Sequence, residues 1–307
     1  MKILIPEMML PGPLARLEAA HDVIYQPALV DRPAELVEAA READCLIVRN
    51  RTQVRGDLLD AAARLRVIGR LGVGLDNIDL DACRSRGIAV VPAIGANARS
   101  VAEYVVATAM IMMRGAYRMS GDVAAGRWPR VTAIKGREIE GMTLGIIGFG
   151  SIGRLTAQLG HRMGMRVLAY APSLTADAPS LREVDAELLP LDHLLARSDV
   201  VSLHMPLNDI TRGLIDARRL ACMQASSVLI NTARAGVIDQ SALVDALCAG
   251  RLHGAAIDVY ETEPLPAGSG WADVPGLLLT PHIAGVTVDA ERRVGDLIAD
   301  RVLELLR

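Results

Sequence analysis

Aromatic side chains are scarce in this sequence, which has one phenylalanine, two tryptophans and five tyrosines among 307 residues. Proteins that bind nucleic acid commonly stack bases on aromatic side chains and present a basic surface. Here the net charge is −3 and the pI is about 6.1, so no cationic field compensates for the missing aromatics. We therefore expect a protein that binds neither nucleic acid nor an anionic membrane surface.

Apolar runs of membrane-spanning length are lacking as well. The longest run, residues 101–113, contains Glu103 and falls short of the roughly 20 residues that a spanning helix needs. Pro6 and Glu7 interrupt the N-terminal run too early for the apolar region of a signal peptide. The sequence thus predicts a cytoplasmic protein, and we expect no regulatory domain after its last helical segment.

Cysteine clusters are absent too. The four cysteines are far apart and match neither a C-x-x-C motif nor a zinc-ligand spacing: Cys45, Cys83, Cys222 and Cys248. No group of histidine, aspartate and glutamate residues has metal-ligand spacing either. We expect buried, reduced thiols and no bound metal.

Short apolar runs that alternate with helical patterns dominate the chain. Runs apolar at both odd and even positions are typical of parallel strands covered on both faces. The strand candidates are Lys2–Ile5, Val23–Tyr25, Cys45–Val48, Val67–Ile68, Ile88–Val90, Thr143–Ile147, Arg166–Tyr170, Val200–His204, Ser227–Asn231, Gly254–Asp258 and Leu277–Leu279. This alternation, in a chain long enough for about two domains, predicts an α/β protein with two doubly wound parallel sheets.

Two long helical patterns frame the second series of strands. Residues 98–124 form one mostly unbroken pattern, which we interpret as a single helix that bridges two domains. Residues 288–306 form another, with apolar side chains at Val294, Leu297, Ile298 and Val302.

A glycine motif follows the strand candidate Thr143–Ile147. Gly148, Gly150 and Gly153 have the G-x-G-x-x-G spacing, and a helical pattern and a second strand come next. In this context the first glycine permits a tight turn, the second lets the backbone approach a pyrophosphate, and the third lets helix and strand pack closely. The motif therefore predicts a dinucleotide site rather than an ordinary glycine-rich turn.

The acid that usually ends the second strand of such a unit is missing. Ala171 stands where an Asp or Glu normally binds the ribose hydroxyls. The absence of this acid removes a negative charge that would repel a 2′-phosphate. However, no arginine follows directly, and Ser173 and Thr175 offer only hydroxyls. The nearest basic side chains are those of Arg154 and Arg182. NAD and NADP both stay open as the cofactor.

Three ionisable residues follow later strand candidates. Arg234, Glu263 and His282 come after strands whose carboxyl ends should face one ligand crevice. A histidine can donate a proton to a carbonyl, a carboxylate can fix its tautomer, and an arginine can bind a substrate carboxylate. Each residue alone fits a structural role equally well, but the ordered set predicts carbonyl reduction.

Several ordered motifs resemble the D-isomer-specific 2-hydroxyacid dehydrogenase family, in the style of its phosphoglycerate dehydrogenase branch. They are GRLGVGLDNID, NARSVAEYVV, LGIIGFGSIG, VVSLHMPL, LINTARAGVID, GAAIDVYETEP and LTPHIAG. The resemblance implies a catalytic Arg234–Glu263–His282 set, Asp258 near the nicotinamide carboxamide, and the backbone of Val73 and Gly74 holding the substrate carboxylate, alongside Arg234 and His282.

The resemblance also implies a set of cofactor contacts along the second half of the chain. They are Gly148, Gly150, Ser151, Ile152, Gly153, Ala171, Ser173, His204, Pro206, Thr232, Ala233, Arg234, Asp258, His282 and Gly285.

A discontinuous domain layout follows from the same resemblance. A Rossmann-type nucleotide domain, residues 98–284, is expected to be inserted into a flavodoxin-like substrate domain made of residues 1–97 and 285–307. Family members are usually homodimers joined through the nucleotide domains. Besides Ala171, one departure concerns the active site: Ala235 replaces the glycine that often follows the catalytic arginine.

The substrate is expected to be a small 2-oxo or D-2-hydroxy acid. Arg49 and Arg51 end a strand of the substrate domain, with Arg49 the better candidate for substrate binding, and Arg99 lies near the domain boundary. If two of these arginines face the substrate, a second phosphate, sulfonate or carboxylate group is favoured; glyoxylate or hydroxypyruvate would need less positive charge.

Two alternatives stay open, one a closely related enzyme activity and the other a different functional class. Relatives with the same three catalytic residues oxidise phosphite, and others act as nucleotide-sensing corepressors that recruit partners. Formate oxidation fits less well, because those relatives carry glutamine where this chain has Glu263.

Overall fold

The chain folds into two units, one made of residues 1–97 and 286–307 and the other of residues 98–285. The computed structural model describes residues 1–307, apart from the side chain of Arg118. In the part of the chain so described, no helix combines the length and the apolar character required to cross a membrane.

The first unit is a five-stranded parallel sheet with helices on both faces. Its strands are β1 (Lys2–Ile5), β2 (Asp22–Tyr25), β3 (Cys45–Val48), β4 (Val67–Arg70) and β5 (Ala89–Pro92). Its helices are α1 (Pro11–Glu18), α2 (Pro33–Ala40), α3 (Gly56–Ala61), α4 (Leu80–Ser85) and the C-terminal helix Val288–Leu305, with a 3₁₀ turn at Pro27–Asp31. The strand order β2-β1-β3-β4-β5 is the flavodoxin-like order.

Apolar clusters cover both faces of this sheet. In one cluster, Leu4, Leu46 and Ile68 pack against the helices α2 and α3. In the other, Ile3 and Ile47 of the sheet pack with Ile298 of the C-terminal helix. Successive residues of a strand point to opposite faces, so a strand buried on both sides has to be apolar throughout, as β3 is.

The second unit begins with helical segments and continues as a seven-stranded parallel sheet. Its helices are α5 (Ala98–Arg114), α6 (Ser120–Ala124), α7 (Arg130–Ala133), α8 (Ser151–Arg162), α9 (Pro179–Arg182), α10 (Leu191–Arg197), α11 (Ala217–Leu220) and α12 (Gln240–Cys248), with 3₁₀ turns at Ala116–Met119 and Ala235–Val237. Its strands are β6 (Thr143–Ile147), β7 (Arg166–Tyr170), β8 (Glu187–Leu188), β9 (Val200–Leu203), β10 (Val228–Asn231), β11 (Gly254–Ile257) and β12 (Leu277–Leu279).

The strand order of the second sheet is β12-β11-β10-β9-β6-β7-β8. Counted from β6, this is the doubly wound dinucleotide-binding order with one strand added at the far edge, and the order reverses between β6 and β9. The predicted fold class, a Rossmann-type sheet and a flavodoxin-like sheet, is thus confirmed. The carboxyl ends of β6 and β9 lie side by side, with Ile147 opposite Leu203.

The long helix predicted over residues 98–124 is wrong in its second part. Helix α5 ends at Arg114, because Gly115 adopts a left-handed backbone conformation with φ of +66°. A 3₁₀ turn and the short α6 follow. The apolar pattern continues through this break, which is why the sequence suggested one helix.

The expectation of buried thiols holds for only two of the four cysteines. Cys45 and Cys83 are buried, whereas Cys222 is half-buried and Cys248 is exposed at the end of α12. All four are free thiols.

Candidate active site

The predicted site residues of the second unit lie in loops that leave the carboxyl ends of its strands. From β12 across to β7, these loops carry His282, Asp258, Arg234, His204, the glycine motif and Ala171, in that order. In an open α/β sheet, this edge is where ligands bind. The sheet thus sets ionisable side chains on one side of the β6–β9 junction and the glycine motif at the junction itself.

The glycine loop is shaped for close approach of backbone. Gly148 has φ of +94°, and a Cβ atom there would lie 2.5 Å from the carbonyl oxygen of His204. Gly148 is therefore required by both conformation and space. A Cβ on Gly153 would lie 2.1 Å from the carbonyl oxygen of Gly148, whereas a Cβ on Gly150 would meet no atom within 4 Å. The open side of Gly150 is where a phosphate could approach.

Two further observations fit a dinucleotide at this edge. Helix α8 begins at Ser151 and has Gly150 as its N-cap, so no side chain occupies its first backbone N–H groups. The buried Thr232 hydroxyl has no hydrogen-bond partner among the described residues. A helix N-terminus binds phosphate oxygens, and a buried hydroxyl without a partner is costly unless a ligand satisfies it.

The loop after β7 contains Ala171 and an acid further along. Ala171 is 7% exposed and packs in the apolar core, while Ser173 is exposed. The Thr175 hydroxyl donates to Asp177 at 2.5 Å, and that bond is the main reason the pKa of Asp177 is lowered. Residues 171–178 therefore carry one carboxylate and no basic side chain.

Arg234 is positioned by the last residue of β10. The Asn231 side chain is buried; its Nδ2 donates to the carbonyl oxygen of Arg234 at 2.9 Å, and its Oδ1 accepts from the N–H of Ala233 at 3.0 Å. The half-buried Arg234 guanidinium donates to the carbonyl oxygen of Ala233 at 2.6 Å. Ala235 begins the 3₁₀ turn without a positive φ, so its methyl group introduces no backbone strain.

Glu263 and His282 form a hydrogen-bonded pair. Nδ1 of His282 lies 2.8 Å from Oε2 and 2.9 Å from Oε1 of Glu263, and the N–H of Tyr260 donates to Oε1 at 3.1 Å. A carboxylate only accepts, so Nδ1 carries the proton that it donates. The side chain of His282 is 41% exposed, which leaves its Nε2 side accessible to a ligand.

His282 lies in a loop held by a buried carboxylate. Its φ of +56° is left-handed, which costs a residue with a side chain about 1–3 kcal/mol. Asp258, 1% exposed, accepts from the hydroxyl of Thr280 at 2.6 Å and from the N–H groups of Ile283 and Ala284 at 2.9 and 2.8 Å. Asp258 thereby fixes the chain on both sides of His282.

His204 is the other histidine at this edge, and its environment differs. Its Nε2 lies 2.9 Å from the hydroxyl of Ser202, and burial lowers its pKa to about 3. Its ring is therefore neutral at ordinary pH. Of the two histidines, only His282 has a carboxylate hydrogen-bonded to its ring.

In the first unit, the loops after β3 and β4 lie side by side. Val73 and Gly74 follow β4 and are half-buried. The buried Glu7 accepts from the N–H groups of Arg49 and Thr52 at 2.8 and 3.1 Å, and the Asn77 side chain donates to the carbonyl oxygen of Arg49 at 2.9 Å. These bonds hold the backbone that carries Arg49.

The Arg49 side chain is engaged by a carboxylate of its own unit. Both of its terminal nitrogens contact Glu291 in the C-terminal helix, with Nη2 at 2.8 Å from Oε1, and the two side chains are 18% and 14% exposed. Arg49, the residue predicted to contact the substrate, thus has a protein carboxylate as its partner. Arg51, by contrast, pairs with Asp31 at the surface, where both side chains are more than half exposed.

This ion pair leads to a prediction about stability. We expect Arg49→Gln to lower the free energy of unfolding by about 2 kcal/mol, because Glu291 is left charged and mostly buried. The double variant Arg49→Gln/Glu291→Gln should recover most of that loss, since no uncompensated charge remains. Thermal melts of the parent and the two variants test this; a double variant no more stable than Arg49→Gln alone would contradict it.

Several positioning residues were not foreseen from the sequence. Asn231, Glu7 and Thr280 hold the loops of Arg234, Arg49 and His282 respectively. A signal existed for Asn231, a polar residue that ends an otherwise apolar strand. No local pattern links Glu7 to a loop more than 40 residues away.

Comparison with known proteins identifies the family of the chain. Residues 106–284 match the family model described as "D-isomer specific 2-hydroxyacid dehydrogenase, NAD binding domain". The chain is 47% identical to (S)-sulfolactate dehydrogenase of Chromohalobacter salexigens over 99% of this chain and 98% of that protein. It is 36% identical to hydroxypyruvate reductase of Thermotoga maritima over 89% and 88% of the two chains.

A solved structure extends the likeness to the whole fold. D-lactate dehydrogenase from Aquifex aeolicus, complexed with NAD and lactic acid, superposes with a TM-score of 0.86 at 28% identity, over 100% of this chain and 95% of that one. The chain belongs to the D-isomer-specific 2-hydroxyacid dehydrogenase family. The expected class, a nicotinamide-dependent oxidoreductase of 2-oxo and 2-hydroxy acids, is thereby confirmed.

Proposed function

We propose that this enzyme interconverts a doubly anionic 2-oxo acid of the 3-sulfopyruvate type and its D-configured 2-hydroxy acid, with NAD as the preferred cofactor. The observation that carries the chemistry is the Glu263–His282 hydrogen bond at the carboxyl edge of the second sheet. It commits Nδ1 of His282 to the carboxylate and leaves Nε2 to exchange a proton with substrate.

Each side chain then has a distinct task in the reduction. Nε2 of His282 gives a proton to the carbonyl oxygen as that oxygen gains negative charge, and Glu263 stabilises the ring while it is charged. Arg234 binds the substrate carboxylate and polarises the adjacent carbonyl. The bound nicotinamide supplies the hydride in reduction and accepts it in oxidation.

The two units have different proposed roles. The second unit is the dinucleotide-binding domain, supported by the glycine loop, the open end of α8 and the buried Thr232 hydroxyl. The first unit is the substrate domain, in which the backbone of Val73 and Gly74 binds the substrate carboxylate. Arg51 is the better placed arginine for a second anion, because its surface pairing with Asp31 is worth little and can be exchanged.

A second anionic group on the substrate is supported by the 47% identity to a sulfolactate dehydrogenase. The (S) descriptor of that relative's substrate agrees with a D-specific family. In the Cahn–Ingold–Prelog priority order, the CH₂SO₃⁻ group of sulfolactate ranks above the carboxylate, whereas the carboxylate of lactate ranks above the methyl group. The same spatial arrangement is therefore named R in D-lactate and S in sulfolactate.

NAD is proposed rather than NADP because the loop after β7 carries no positive charge. Residues 171–178 contain Asp177 and no basic side chain, so nothing in that loop would attract a 2′-phosphate. Asp177 supplies negative charge in the loop even though Ala171 replaces the usual acid.

One assay tests substrate, stereochemistry and cofactor together. Reduction of 3-sulfopyruvate, 3-phosphohydroxypyruvate, oxaloacetate, hydroxypyruvate and glyoxylate is followed with NADH and with NADPH. We expect the highest kcat/KM with 3-sulfopyruvate and NADH, and (S)-3-sulfolactate as the product on chiral chromatography. A preference for singly charged acids, for NADPH or for the R product would contradict the corresponding part of the proposal.

We also propose a homodimer. Three apolar side chains in and beside α7 are more than 75% exposed: Trp128, Val131 and Ile134. Such a patch is unusual on a monomer surface, and a second copy of the chain would cover it. Light scattering during size-exclusion chromatography should give twice 32.7 kDa. A mass of one chain would contradict this.

A cytoplasmic location is proposed on the state of the thiols. All four cysteines are free, including the exposed Cys248. Oxidising compartments favour disulfides, so free exposed thiols fit a reducing compartment. Cell fractionation checks this, and recovery outside the cytoplasm would contradict it.

A further inference from the structure

A chain of hydroxyl groups leads from helix α5 to the loop that carries His282. The Tyr104 hydroxyl lies 2.6 Å from the hydroxyl of Thr280, which lies 2.6 Å from Oδ1 of Asp258. Thr280 has one proton, and a carboxylate can only accept it. The direction is therefore set: Tyr104 donates to Thr280, and Thr280 donates to Asp258.

The environment of Tyr104 keeps it a donor. The ring is half-buried in the middle of α5, and this burial raises the pKa of Tyr104. Nearby, the hydroxyl of Tyr260 donates to the carbonyl oxygens of Ile257 and Thr280 at 3.0 and 2.9 Å, and burial together with Asp258 raises its pKa to about 12. Both phenols stay protonated at working pH, so the direction of the chain is constant.

Thr280 is held through both its side chain and its backbone. Its hydroxyl bridges Tyr104 and Asp258, its carbonyl oxygen accepts from Tyr260, and the same oxygen accepts from the N–H of His282 at 3.0 Å. On the other side of His282, Asp258 holds Ile283. His282, in its left-handed conformation, lies between these two anchors. Within the described part of the chain, its side chain hydrogen-bonds only to Glu263.

We propose that Thr280 and Tyr104 are positioning residues for His282. Their hydroxyls fix the loop at the one backbone conformation in which Nδ1 of His282 meets Glu263 and Nε2 faces the substrate. This inference rests on the proposed role of His282 as proton donor and extends it to two residues that contact neither substrate nor the reacting atoms.

Isosteric variants separate the hydroxyl from the shape of each side chain. Thr280→Val removes the hydroxyl and keeps the size; Thr280→Ser keeps the hydroxyl and is the matched control. A misplaced catalytic group can cost up to about 100-fold in rate, so we expect Thr280→Val to lower kcat by about 10- to 100-fold. Thr280→Ser should stay within about threefold of the parent. Tyr104→Phe should cost about three- to tenfold, because the Thr280–Asp258 bond remains.

A double-mutant cycle shows whether the loss acts through His282. In a His282→Asn background, Thr280→Val should lower kcat no further, and the Kd for NADH, followed by its fluorescence, should stay near the parent value in all variants. Parent-like kcat in Thr280→Val, or an equal loss in both backgrounds, would overturn the inference. If Thr280→Val does not fold, the same cycle with Tyr104→Phe decides.

Failure of the proposed function would look different. In that case His282→Asn alone would keep the parent kcat, or the parent enzyme would reduce no 2-oxo acid. If only the positioning role of Thr280 and Tyr104 fails, His282→Asn still has a low kcat, whereas Thr280→Val has a parent-like kcat or shows the same loss in both backgrounds.

Discussion

Replacing His282 by asparagine is expected to lower kcat for 2-oxo acid reduction by about 10²- to 10⁴-fold, the usual contribution of a general acid. Asparagine is chosen because it tolerates the left-handed backbone conformation of His282. Its amide nitrogen can also take the place of Nδ1 and donate to Glu263. The variant therefore removes the proton donor with little change to the loop.

No neighbouring group should replace the lost proton donor. His204 is neutral, with its pKa lowered to about 3 and its ring bonded to Ser202. The measurement is steady-state kcat with saturating cofactor and oxo acid, beside an NADH titration. His193→Asn, at an exposed histidine in α10, is the matched control and should keep the parent kcat. Loss of NADH binding together with a lowered melting temperature in His282→Asn would mean that this residue supports the fold rather than the chemistry.

The strands were the most predictable part of this molecule. Both predicted ends of β1, β3, β6, β7 and β12 match the structure, because strands covered by helices require short apolar runs bounded by polar residues. The two-residue β8, Glu187–Leu188, was missed because so short a run has no periodicity. The break at Gly115 was missed because the apolar pattern continues past this residue, although its backbone adopts a left-handed conformation that ends the helix.

The candidate site was predictable in outline for a different reason. Parallel strands bring their carboxyl ends to one edge, so residues that directly follow strands can be assigned to that edge without knowing the contacts. The partners of charged side chains carry no such signal. Glu291 lies 242 residues from Arg49 in sequence, and only the fold of the first unit brings their side chains together. The same limit hid the hydrogen-bond chain that runs from Tyr104 through Thr280 to Asp258.

Arg234→Lys is expected to lower kcat/KM for the oxo acid by about 10²- to 10³-fold while NADH binding changes little. Lysine keeps the positive charge, so long-range attraction of an anionic substrate is preserved. It lacks the planar guanidinium that can bind a carboxylate with two parallel hydrogen bonds and reach the carbonyl as well. Arg218→Lys, at an exposed arginine paired with Asp192, is the matched control and should keep the parent kcat/KM.

Chemical rescue distinguishes a missing group from a damaged loop. Asn231 holds the backbone of residues 233 and 234 whatever the side chain at position 234, so Arg234→Ala should leave a correctly shaped gap. Added guanidinium at millimolar concentration should then restore part of the activity of Arg234→Ala and none in Arg234→Lys, where the lysine fills the gap. Rescue of neither variant, together with a lowered melting temperature, would mean that Arg234 acts in the fold. Parent-like kcat/KM in Arg234→Lys would mean that charge alone binds the substrate carboxylate, and that the forked geometry is not used.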